Sequence, residues 1–196
     1  MPCWKKFRCL LLTVCLLCSS ALHAEGIVLQ KAEVRVSEDS YQLAAEYHIN
    51  LSFAVEQALS RGVSIYLVCE FNVTRSRWYW FDEQLAKSQQ TFKLSYNLLA
   101  RQYRVTRGSL YQNFPSLEEA LQFIQRQSSA AISYSTLGKD GNYLASTRFR
   151  LDVNQLPKPL QVNALTNKDW ELDSGSYRWV LRPDEILARH NGESGH

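Results

Sequence analysis

The chain has 196 residues, 22 of them basic and 19 acidic. Three of the basic residues and none of the acidic ones lie in residues 1–24. The remainder is therefore neutral, and its charge points to neither nucleic acid nor an anionic membrane. Four of the five cysteines also fall in that leader, leaving Cys69 and no possible internal disulfide. With 45% apolar residues, the part that follows can bury one ordinary core, and a single β-rich domain is expected over 25–183.

Residues 1–24 read as a secretory signal peptide. Lys5, Lys6 and Arg8 form a positive start, Cys9 to Cys18 is a short apolar run, and Leu22-His23-Ala24 is a cleavage site before Glu25. The run is too short for a stable membrane anchor. Leu17 before Cys18 and Val14 before Cys15 argue against lipoprotein processing. The expected location is periplasmic or secreted, with no transmembrane anchor after processing.

Alternation then sets in. Val28, Ala32, Val34 and Val36 share one side of a strand, with Lys31, Glu33 and Arg35 opposite. After a turn at 38–40, Tyr41, Leu43, Ala45, Tyr47 and Ile49 return as its hairpin partner. Helical spacing of Leu51, Ala54, Val55, Ala58 and Leu59, with Asn50 as N-cap, predicts a helix over 51–60. Val63 to Val73 is a strand with an apolar odd face. Phe92, Leu94 and Tyr96 alternate, as do Tyr103 and Val105. Ser116 and Glu119 form a capping box that opens a second helix over 117–127.

Ile132 and Tyr134 lead through the turn 138–141 into a strand carrying Tyr143, Ala145, Phe149, Leu151 and Val153. Residues 156–159 read as a rigid proline segment. Trp170 and Leu172 pair across Ser174-Gly175 with Tyr177, Trp179 and Leu181 in a last hairpin. The stretch 184–196 is polar and is expected to be disordered. The fold class is mainly β: an antiparallel β-sandwich of eight or nine strands with two short helices, 51–60 and 117–127.

Chemistry is sparse. Cys69 sits on the most apolar strand face and reads as a buried small hydrophobe. The histidines lack metal-ligand spacing, and neither a serine-nucleophile elbow nor a phosphate-binding glycine loop is present. No metal and no cofactor is expected. Asp82 with Glu83, or Glu118 with Glu119, could supply two carboxyls for a hydrolase. The second pair already suits a helix start, and the first reads as a solvated loop.

The stretch RSRWYWFDEQ (75–84) holds the candidate binding residues Arg77, Trp78, Trp80 and Asp82. A strand running unbroken from 63 to 81 would be roughly 60 Å long at about 3.3 Å per residue, and it would place two arginines on the core face. A break or bulge near 74–76 removes both difficulties. The favoured reading resumes the strand with Trp78 and Trp80 turned inward.

Several stretches carry a resemblance: Arg77-Trp78-Tyr79-Trp80 with Asp82, LSYNLLARQYRV (94–105), FPSLEEAL (114–121), Arg150-Leu151-Asp152, LPKPLQV (156–162), and Trp170, Leu172 and Ser174. With these the chain resembles a group of short secreted proteobacterial proteins classed as a domain of unknown function, some labelled proline-rich signal peptide proteins. The middle of the aromatic triplet, often Trp in that group, is Tyr79 here. The resemblance implies no activity or catalytic residue. Its members are often encoded beside a membrane sensor histidine kinase, which implies a link to envelope signalling.

The reading that follows is a non-enzymatic extracytoplasmic binding or adaptor domain, its partner another envelope protein. The alternatives are a carbohydrate-binding module that stacks sugars on exposed Trp78 and Trp80, and a hydrolase using Asp82 or Glu83.

Overall fold

Alternating side chains become ten strands in two antiparallel sheets among the residues that this computed structural model describes, 26–37, 39–75, 82–138 and 141–193. The smaller sheet holds β1 (Gly26–Ser37), β2 (Ser40–Asn50), β7 (Arg126–Ser128) and β8 (Ile132–Ser133). β2 lies between β1 on one side and β7 and β8 on the other. The larger sheet is built from β3 (Ile65–Arg75), β4 (Glu83–Asn97), β5 (Gln102–Arg107), β6 (Leu110–Phe114), β9 (Tyr143–Leu151) and β10 (Tyr177–Leu181). Its order is β10-β9-β3-β4-β5-β6. Four helices complete the chain: α1 (Phe53–Ser60), α2 (Leu117–Gln125), α3 (Lys158–Thr166) and α4 (Pro183–Glu193).

The sheets pack face to face through residues of period two. Tyr41, Leu43, Ala45, Tyr47 and Ile49 of β2 are buried as expected. They meet Ile65, Leu67, Cys69, Phe71 and Val73 of β3, and Tyr143, Ala145, Phe149 and Leu151 of β9. The Tyr47 and Phe149 rings lie 5.0 Å apart across the layer, and the Tyr47 hydroxyl bonds the buried Thr147 hydroxyl. Along one side the layers are joined by polar groups. Gln90 of β4 donates to the Ser128 carbonyl at 2.6 Å, and the Ala130 amide donates to Ser88 Oγ at 3.1 Å.

Where details depart from expectation, the causes are local. In β1, Leu29 pairs with Tyr47 and Lys31 with Glu46, so Gln30 is an extra residue and parity reverses there. Val28 is consequently 47% exposed, whereas Ala32, Val34 and Val36 beyond the bulge face inward. The first helix is capped by Ser52, whose Oγ accepts from the Val55 amide at 3.3 Å, instead of by Asn50, which ends β2. The second ends at Gln125, where the chain turns extended into β7.

Residues 132–153 do not form a hairpin. β8 pairs with β2 in one sheet and β9 with β3 in the other, so the chain crosses between layers. Nor do Trp170 and Leu172 pair with β10, which lies against β9; residues 168–170 form a 3-10 turn. Pro157 and Pro159 open α3 instead of an extended segment, because a proline's fixed φ suits the first helical turn. The stretch expected to be disordered begins as α4, held to the core by half-buried Ile186 and Leu187.

Candidate functional site

The pair Arg75↔Glu83 closes the β3–β4 hairpin, so 76–82 form its connection. β3 ends at Arg75, within the stretch where the length argument placed a break, and a register shift falls between Val73 and Thr74. The extra residue is Leu85 on the returning strand, because Val73 pairs with Ala86 and Thr74 with Gln84. Arg77, Trp78 and Trp80, with the inward placement expected for the tryptophans, lie outside the described residues. Asp82 is described, and it is exposed.

The base of this hairpin is well braced. Arg75 Nη2 donates to the Tyr143 hydroxyl at 2.9 Å, and its guanidinium lies 5.2 Å from the centre of that ring. Arg75 Nη1 is 3.9 Å from Glu83 Oε2. The Tyr143 hydroxyl donates in turn to the Gly138 carbonyl at 3.2 Å. Gly141 must be glycine, since a Cβ there would overlap the Tyr143 ring. Arg75 therefore binds hairpin to neighbouring loop, and Glu83 is engaged by it.

The remaining chemical candidates have structural roles. Burial pushes the Cys69 thiol up to about 12, so it is no nucleophile at neutral pH. Ser116 Oγ accepts from the Glu119 amide at 3.2 Å, which gives the Glu118–Glu119 pair its place at the α2 N-terminus. Among the described residues no group of three or more His, Cys, Asp or Glu could hold a metal ion.

What the sequence reading missed is β6. Its first four residues are exposed, with Leu110 at 69% and Tyr111 at 65%. Phe114 alone turns inward, 5.3 Å from the Phe123 ring of α2. β6 is an edge strand, and edges in soluble proteins are usually blunted by charge, proline, bulges or shortness. β1 has its bulge and the ion-paired Lys31, Glu33 and Arg35; β7 and β8 are three and two residues long; β10 carries Arg178. β6, Leu-Tyr-Gln-Asn-Phe, has none of these devices. On β5, Arg104 stacks 4.7 Å from the centre of the Tyr111 ring and donates to Asn113 Oδ1 at 2.9 Å, fixing two side chains beside the open edge.

Fold and edge together define an antiparallel β-sandwich with one unguarded edge strand among the described residues. The chain belongs to the DUF4390 family, a domain of unknown function whose model matches residues 24–180. No curated protein and no solved structure matches it.

Proposed function

We propose that the chain is a non-enzymatic extracytoplasmic binding domain that engages another protein of the cell envelope by accepting an extended segment along β6. The unblunted edge carries this reading. Main-chain hydrogen bonds to an added strand would supply affinity, and contacts of its alternate side chains with Leu110 and Tyr111 would supply specificity. The leader at 1–24 supports the extracytoplasmic location, and the resemblance to a secreted proteobacterial group encoded beside sensor kinases supports a role in envelope signalling. The test is a photo-crosslinking residue at Tyr111 in intact cells. One dominant envelope protein is expected, and Leu110→Asp should reduce its capture about tenfold. Absence of any specific adduct at Tyr111, with the domain folded, would rule this reading out.

A further inference from the structure

We propose that one end of the sandwich, formed by α1, the β4–β5 turn and α3, docks on the surface of a phospholipid bilayer. This site is separate from the β6 edge. β2 leaves its sheet at Asn50 into α1, and α1 returns the chain at Ile65. The pair Ile65↔Leu94 puts the β4–β5 turn at the same end, and β9 finishes there at Leu151, opposite Leu67. The three elements adjoin. Ser52 Oγ, at the N-cap of α1, donates to the Asp169 carbonyl just beyond α3 at 2.5 Å. A Cβ on Gly62, after α1, would meet Leu98 Cδ1 at 3.8 Å.

Large apolar side chains are concentrated on this end. Phe53 of α1, Leu98 and Leu99 of the turn, and Val162 and Leu165 of α3 are all exposed, Leu99 at 98% and Leu165 at 83%. α3 leans on the core through half-buried Leu160 and Ala164 while Val162 and Leu165 turn away. A groove of about 530 Å3 runs between α1 and α3, with Trp170, Val63 and Leu160 among its walls.

Two observations favour lipid over a protein partner. The apolar groups are tips on separate elements; a protein would need a matched hollow for each, whereas a headgroup layer opens around them. Arg61, Arg101, Lys158 and Lys168 border them and make no ion pair among the described residues, leaving their charges for phosphates. Glu56, Asp152, Asp169 and Glu171 balance the four cations, so apolar insertion provides the binding. With this end down, the strands rise from the membrane and the β6 edge stays open.

The test uses residues 25–196, which contain the whole core, and vesicles of phosphatidylethanolamine with phosphatidylglycerol. The protein should float with the vesicles. Leu99→Glu with Leu165→Glu should weaken partitioning about tenfold or more, while Val180→Glu, on β10, leaves it unchanged. Leu99→Cys carrying an environment-sensitive dye should blue-shift on vesicle addition; Cys69 is buried and stays unlabelled. Failure of the wild type to float, equal loss in Val180→Glu, or an unshifted dye would each overturn the proposal. Crosslinking through Tyr111 should persist in the double variant, which separates this site from the edge.

Discussion

Tyr47 shows how much one side chain can join. Its ring packs on Phe149, its hydroxyl bonds Thr147, and Cys69 Sγ lies 3.9 Å from the same oxygen, so three strands from two sheets meet on one phenol. Burial raises the ionisation of Tyr47 well above the ordinary range and that of Cys69 from 9.0 to about 12. Tyr47→Phe should cost about 1–3 kcal/mol by leaving the Thr147 hydroxyl buried without its partner. Thr147→Val on that background should recover part of the loss in chemical denaturation, because the orphan is then removed. Both groups have folded values above their unfolded ones: the Cys69 contribution is complete below pH 9 and is lost as pH rises from 9.0 toward about 12, and that of Tyr47 begins to be lost only above pH 10. Cys69→Ala should flatten that alkaline decline. A thiol reagent at pH 8 should leave the native protein unmodified and react fully once it is unfolded.

Among the elements, the two capped helices invite a direct comparison. Ser52 and Ser116 both accept an amide of the first turn, but Ser52 is buried and also donates to Asp169. Ser52→Ala should cost about 1–2 kcal/mol and Ser116→Ala about 0.5–1 kcal/mol, read from thermal unfolding. The same elements show what a sequence can convey. β2, β3 and β9 were legible because one face is buried along their whole length, which imposes strict alternation. The α2 start was legible because a capping box is local. β6 was not, since four exposed residues obey no period, and β7 and β8 are too short to have one. Pro157 and Pro159 suit an extended segment and a helix start equally well, so α3 needed the packing of Leu160 and Ala164 to decide it. β10 was legible as a strand, but its partner was not, because alternation names a face and never a neighbour.

For the whole molecule, the sandwich class followed from the number and length of the alternating runs, whereas the proposed binding surfaces did not. Asp82 was selected with the aromatic triplet, and it is an exposed residue at the foot of a hairpin braced by Arg75 and Tyr143. The edge and the apolar end owe their interest to what surrounds them, and sequence pattern carries no record of vacant neighbours. One expectation at this scale rests on the lone cysteine: reductant should leave the melting temperature of residues 25–196 unchanged in calorimetry, since no disulfide contributes. Asp173 adds a small acid dependence. Burial raises its carboxyl, but the hydrogen bonds from Arg148 and from the Gly175 amide outweigh that and hold it below 3.8. Its contribution is present above that value and fades as pH falls through the lower folded one.

The placement of β8 and β9 in different layers also sets the order of events in time. β2 must wait for β7 and β8, and β3 for β9; the Tyr47 hydroxyl meets its partner 100 residues later in the chain. A chain released from its amino end onward can close the β1–β2 and β3–β4 hairpins early and pack one on the other, but β3 stays without its second neighbour until residue 151 has emerged. Distant pairings of this kind slow folding, because loop closure must precede the contacts that reward it. The larger sheet and the core beneath it are therefore complete only once the last third of the chain has joined them.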